Sequence, residues 1–260
     1  MSEKLFDDLN TFNHLAKEII SDCNKKGISK KVKPTDLLNK FGIELNNSGI
    51  SDNQLKQILK ELVLHTPKTS GKLFFNQLFG GLNSKAVLGD LLAVLLNNSM
   101  ATYKISGPMV ELEREILRKV AHLISYPNTF GGTMPTGGSM SNFMALVVAR
   151  DKKRPKTIQD GNTDRLVFYT SENSHYSIGK NASFCGIGRD NARYIDTNEK
   201  GEMISEKLND TIQSDIKNGL IPFFVNATLG TTVMGATDPI NKISEICTNH
   251  NIWLHVDGAF

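Results

Sequence analysis

The sequence predicts an α/β protein: a mostly parallel sheet with helices on both faces, led by a helical N-terminal segment. Three observations predict it. Apolar strand-like runs alternate with helix-period segments from residue 166 onward, the pattern of crossover-connected parallel strands. The run Ile221 to Ala227 passes through a Thr/Gly loop into an amphipathic segment, opened by Asp238-Pro239 with Ile240, Ile243 and Ile246 on one stripe. A second apolar run, Ile252 to Val256, then ends on Asp257. That is a βαβ unit delivering a carboxylate to the edge where parallel sheets keep their ligands. Ahead of all this, the N-terminal third shows helical spacing throughout.

In that third, Leu5, Leu9, Phe12, Leu15, Ala16 and Ile19 recur at helical period with charges between them. Pro34-Thr35-Asp36 opens a second short helix. Ser51 with Gln54 forms a capping-box signature before Leu55, Ile58, Leu59 and Leu62. Thr66 to Gly71 reads as a linker, and an aromatic cluster from Leu73 to Phe79 ends in Gly80-Gly81. Helix-period segments follow at Val87 to Leu96 and Val110 to Ile124; the second starts behind Pro108 and carries the i,i+4 pair Glu115 and Lys119. A Gly/Thr/Pro-rich stretch, Asn128 to Gly138, feeds a helix from Ser139 to Arg150. Beyond it come a strand at Leu166 to Thr170, a helix from Ser174, a short strand at Arg193 to Asp196, and a helix from Ile204 to Lys217 closed by Gly219.

Composition narrows the function. A net charge of +3 over 260 residues, with Lys and Arg spread among the acids, gives no electrostatic case for nucleic acid or a membrane surface. The start MSEKLFDDLN lacks the layout of a signal peptide and no run reaches membrane-span length, so the expected location is cytoplasmic. Cys23, Cys185 and Cys247 lack metal-site or disulfide spacing, and no metal is expected.

Three stretches carry possible chemistry. In Thr136-Gly137-Gly138-Ser139, glycines before a helix let backbone N–H groups approach an anion and Ser139 adds a hydroxyl; the same residues also suit a plain loop and N-cap. It is not a Walker A loop, and no GxGxxG follows a strand. His175 stands just after the strand Leu166 to Thr170, at the rim where such sheets bind ligands, although an isolated histidine is often only packed or solvated. Asp257 could ligate magnesium, act as a nucleophile, pair with a ligand's ring nitrogen, or cap a following helix. A phosphate cradle, a strand-end histidine, a Thr/Gly loop and a strand-end acid together suit a flat, phosphorylated, nitrogen-containing ring, and pyridoxal phosphate has those features.

The chain resembles the group II decarboxylases that use pyridoxal 5'-phosphate, the family of glutamate, cysteine sulfinate and aromatic amino acid decarboxylases with the aspartate aminotransferase-like fold. The matching stretches are FFNQLFGGL (74–82), PTGGSMSNFMALVVAR (135–150), SENSHYSIGKNASFCGIG (171–188) and PFFVNATLGTTVMGATDPINKISEIC…WLHVDGAF (222–260). The resemblance implies a helical dimer-clasping segment over residues 1–70 and a cofactor-binding large domain over 71–260, incomplete at its C-terminus. It implies that Gly137, Gly138 and Ser139 hold the cofactor phosphate. His175 stacks on the ring and protonates the substrate carbon; Thr232 lies near the ring hydroxyl, Asp257 pairs with the ring nitrogen, and Ala259 packs on the other face. Gln77 matches a position that holds the distal acid group of acidic substrates. The implied function is decarboxylation of an amino acid, most fittingly glutamate, aspartate or cysteine sulfinate, by a homodimer, so His175 and Asp257 are the expected catalytic residues. Two departures stand out. Gly258 replaces the family's usual alanine, and the chain ends before the lysine that links the cofactor. The sequence therefore reads as a fragment of a lyase, with a non-catalytic paralogue that binds cofactor or dimerises with a full-length subunit as the alternative.

Overall fold

The structure, a computed structural model, describes residues 2–25, 32–41, 48–76 and 78–260. The chain divides into two compact units, Met1–Asn98 and Ser99–Phe260.

The first unit is helical: α1 (Ser2–Lys25), α2 (Pro34–Phe41), α3 (Asp52–His65) and α4 (Ser84–Leu96). The capping box anticipated at Ser51 starts α3, with Gln54 N–H donating to Ser51 Oγ at 3.3 Å and Ser51 N–H to Gln54 Oε1 at 2.9 Å. Asn83 starts α4 by accepting from the N–H groups of Lys85 and Ala86, which satisfies two donors that the helix itself cannot. Helices α1 and α3 lie side by side, tied by Lys60 to Glu18 at 2.8 Å, and just after α3 Lys68 pairs with Asp22 of α1 at 2.9 Å.

The second unit carries the sheet. Helices α5 (Tyr103–Ser106), α6 (Pro108–Leu123), α7 (Gly138–Lys153) and α8 (Thr157–Asp160) precede β1 (Leu166–Ser171). Then come α9 (Ser177–Phe184), β2 (Ala192–Ile195), α10 (Ser205–Lys217), β3 (Ile221–Thr228), α11 (Ile240–Asn249) and β4 (Trp253–Asp257). The four strands are parallel in the order β2-β1-β3-β4. Successive connections therefore leave β1 and β3 in opposite directions, which opens a crevice at their carboxyl ends. Element boundaries fall within a few residues of those the periodicity predicts. One difference is at α9, which starts at Ser177 rather than Ser174. Residues 174–176 are spent on a turn, with Ser174 N–H on the Ser171 carbonyl at 3.1 Å and Ser177 N–H on the His175 ring at 3.3 Å.

Two apolar layers sandwich the sheet. Leu166 and Phe168 of β1 and Phe223 and Phe224 of β3 pack with Leu146 of α7 and Ile178 of α9. On the opposite face, Val167, Tyr169, Val225 and Ala227 pack with Leu208 and Ile212 of α10 and Ile243 of α11. A shift in register between Val167 and Phe168 leaves Phe223 unpaired, and this bulge lets two successive phenylalanines face the same layer. Each buried Val, Leu, Ile or Phe side chain among these contributes about 1.5–3 kcal/mol. Sheet stability is thereby accounted for by residues away from the strands' carboxyl ends.

Those ends are polar although buried, His255 alone among them being half-buried. Thr170 and Ser171 finish β1, Asn226 and Thr228 finish β3, and His255 and Asp257 finish β4. The register aligns Thr170 with Asn226, Asn226 with His255, and Thr228 with Asp257. Because side chains alternate along a strand, Thr170, Asn226, Thr228, His255 and Asp257 share the face covered by α7 and α9. A buried polar band at one end of an otherwise apolar sheet costs stability unless its groups are hydrogen-bonded.

Candidate active site

Asp257 is the last residue of β4 and is 8% exposed. Its two oxygens are held separately: Oδ2 accepts from Asn142 Nδ2 at 3.0 Å and Oδ1 from the backbone N–H of Ala259 at 3.2 Å. The carboxylate thereby ties the chain beyond β4 to helix α7.

Asn142 is the hub of the site. It lies four residues after Gly138 on α7, so both project on the same side of the helix. It is 3% exposed. Besides Asp257, its Nδ2 donates to Ser177 Oγ at 3.0 Å, and its Oδ1 accepts from His255 Nε2 at 2.8 Å. Ser177, the first residue of α9, lies 2.7 Å from His175 Nδ1. A second tie between the two helices runs from Asn181 Nδ2 to the Ser139 carbonyl at 2.8 Å. His175 is half-buried beside the Tyr176 ring, with centroids 4.3 Å apart. His255 stacks on Phe224 at 5.6 Å, and its burial holds its pKa below the ordinary value even though the Asp257 carboxylate opposes the shift.

Gly137 has φ 137° and ψ 165°, a conformation that only glycine adopts without strain. It turns the chain into α7 so that the N–H groups of Gly138 and Ser139 open the helix; helix geometry gives these no partner within the helix. A methyl group on Gly138 would stand 3.6 Å from Ala259 Cβ, so the start of α7 and the segment after Asp257 adjoin. Gly137, Gly138 and Ser139 are all exposed.

Of the residues expected from sequence, the fold joins His175, Asp257, Ser139, Gly138 and Ala259 through this one set of contacts. Thr232 lies half-buried in the turn after β3, and among the described residues no hydrogen bond links it to His175 or Asp257. Its buried neighbour Thr231 accepts from Ala236 N–H at 3.0 Å. The turn reaches the chain beyond β4 at Gly230, where a methyl group would meet Phe260 Cβ at 3.2 Å. Gln77 lies outside the described residues. The sequence reading missed Asn142, Ser177 and His255. A signal for Asn142 existed: it is a lone amide four residues from the glycine pair, ahead of Phe143 and Leu146 on a helix whose inner face is apolar.

A buried acid, an imidazole and an open helix N-terminus at the carboxyl ends of a doubly covered parallel sheet define a cofactor-binding α/β domain of the enzyme type. The chain belongs to the pyridoxal-dependent decarboxylase family, whose conserved-domain model matches residues 34–260. Human cysteine sulfinic acid decarboxylase is 37% identical over 250 residues, covering 93% of this chain and 50% of that protein. An acidic amino acid decarboxylase of Xenopus tropicalis is 36% identical over 263 residues, covering 99% of this chain and 51% of that protein. The crystal structure of mouse CSAD in apo form superposes with a TM-score of 0.92 at 35% identity, covering 98% of this chain and 54% of that one. The chain thus spans about half the length of these relatives. The cofactor that family membership assigns is pyridoxal 5'-phosphate.

Proposed function

We propose that the protein decarboxylates an acidic amino acid, with cysteine sulfinate, glutamate and aspartate as the substrate class, and that it does so as a homodimer in which residues 1–70 clasp the partner. The observation that carries this reading is the Asp257 carboxylate, fixed at the end of β4 by Asn142 and by the Ala259 N–H, beside the start of α7. The names and identities of the acidic-substrate relatives support the substrate class.

The residues present fit pyridoxal phosphate. The N-terminal turn of α7, entered through a glycine-only conformation at Gly137, suits the phosphate of the group. The buried carboxylate suits a cationic ring nitrogen. Asn226 Oδ1, buried within this band, has no partner among the described residues, so the band retains hydrogen-bonding capacity for a ligand.

When bound, the cofactor supplies the electron sink for the bonding pair released as carbon dioxide leaves. The chain's own residues then have these roles. Gly137, Gly138 and Ser139 bind the phosphate. Asp257 keeps a proton at the ring nitrogen, because a carboxylate in a buried setting favours the charged form of its neighbour. His175 would stand on the cofactor's side of the site and would give a proton from Nε2 to the substrate carbon. Thr232 would orient the cofactor's hydroxyl, Ala259 would pack against the cofactor, and Gln77 would receive the distal acid group of the substrate.

The test is carbon dioxide release by the protein at its natural length, supplied with pyridoxal phosphate and each of several amino acids. Turnover of the acidic amino acids and not of aromatic ones is expected. Turnover of aromatic amino acids alone would overturn the substrate class; no release from any, with cofactor bound, would overturn the reaction.

A further inference from the structure

The amide of Asn142 can be oriented in only one way. Turning it over would set its carbonyl oxygen 3.0 Å from an oxygen of the Asp257 carboxylate, which accepts and cannot donate while ionised. Nδ2 therefore faces Asp257, and its second hydrogen goes to Ser177 Oγ at 3.0 Å. With that lone pair engaged, the one hydroxyl proton of Ser177 is free to point at His175 Nδ1, 2.7 Å away. The backbone N–H of Ser177 converges on the same nitrogen at 3.3 Å. Two donors aimed at Nδ1 leave no room for a proton there, and a neutral imidazole then carries its proton on Nε2.

We propose that Asn142 is a positioning residue: through Ser177 it holds His175 as the Nε2–H tautomer, while the same amide group fixes Asp257. The two groups proposed to face opposite ends of the chemistry are set by one side chain. Asn142 and Ser177 are 3% and 0% exposed, so water does not compete for these bonds. The catalytic consequence rests on the function proposed above; the tautomer does not. His255 completes the arrangement, since its Nε2–H occupies Asn142 Oδ1 at 2.8 Å and keeps the amide from rotating.

The experiment is long-range proton–nitrogen correlation NMR on the protein labelled with nitrogen-15 in histidine and free of added cofactor. His175 is assigned by the signal lost in His175→Gln. Wild-type protein is expected to show a single Nε2–H form, and both Ser177→Ala and Asn142→Leu are expected to shift the ring nitrogens toward a mixture of tautomers. A proton on Nδ1 in wild type would overturn the proposal. So would an unchanged Nε2–H form in Ser177→Ala, which removes the 2.7 Å hydroxyl contact, leaves the Asp257 bond in place and keeps only the longer 3.3 Å backbone N–H contact on Nδ1. A merely structural amide would lower the melting temperature of Asn142→Leu and leave the His175 signals as in wild type, and that too would overturn it. Titration of wild type with pyridoxal phosphate, followed by absorbance, serves as a separate arm. Absence of binding there counts against the proposed function and leaves the tautomer result standing.

Discussion

Asn142 Nδ2 lies 3.0 Å from Asp257 Oδ2, joining a helix that precedes the first strand to the last residue of the fourth. This bond holds the acid in place, and the acid's charge gives the site its electrostatic character.

Replacing Asp257 by Asn keeps the shape and removes the charge. In the protein at its natural length, kcat is expected to fall by on the order of 10²- to 10³-fold, the scale for losing one preorganised charge-stabilising group. Cofactor still binds through the start of α7, with lower affinity. Steady-state kinetics together with absorbance titration separate the two effects, and undiminished turnover would remove the role assigned to Asp257.

Gly137 sits at φ 137° and ψ 165° with open space around a hypothetical Cβ. The cost of Gly137→Ala is therefore backbone strain, about 1–3 kcal/mol, and no steric clash adds to it. Denaturant unfolding should show that loss, or a smaller one with weakened pyridoxal phosphate binding if the turn rearranges to relieve the strain. A variant as stable as wild type that binds cofactor equally well would mean that the turn tolerates another conformation.

His255 gives stability a pH dependence. Burial depresses its folded-state pKa below the ordinary 6.5, so the unfolded chain binds the proton more readily. The stability this group contributes is complete above 6.5 and is lost as pH falls through the folded value, with a limiting slope of about 1.4 kcal/mol per pH unit for one proton. Unfolding midpoints measured from about pH 7.5 down to about pH 5 should fall more steeply for wild type than for His255→Gln. Parallel curves would show that His255 does not carry this dependence.

Asp238 supports the site from below. It is 1% exposed, and its carboxylate accepts the backbone N–H groups of Thr228 and Met203, both at 2.7 Å. Burial raises its pKa and those two bonds oppose the rise. Asp238→Ala strands two buried donors, each costing about 1–3 kcal/mol. Because Thr228 is the Cα partner of Asp257, cofactor affinity should fall along with the melting temperature. Asp238→Asn, which keeps one acceptor, should lie between the two. A melting temperature of Asp238→Ala equal to that of wild type would refute this account.

Much of this was legible in the sequence. The stripe Ile240, Ile243 and Ile246, the runs at 221–227 and 252–256, and the Ser51/Gln54 cap each encode an element through local periodicity or a local hydrogen bond. The structure forms all of them. The position of Asp257 at a strand end was equally readable, since an apolar run that stops at an acid marks where a strand leaves the core. The glycines before α7 also declared themselves, because few other residues would be chosen for such a turn.

The sequence by itself therefore determined the long helices and the strands, the parallel character of the sheet, and the residue types that bear chemistry, but not the short helices α5 and α8. Only the tertiary structure decided the strand order β2-β1-β3-β4 and the register that draws Thr170, Asn226, His255 and Asp257 into one band. It also decided that Asn142 would meet Asp257 and His255, at separations of 115 and 113 residues. The reason is physical. Period and capping depend on neighbours within a turn or two. The partner of a buried amide, by contrast, is fixed by which strands lie side by side, and no local pattern along the chain encodes that.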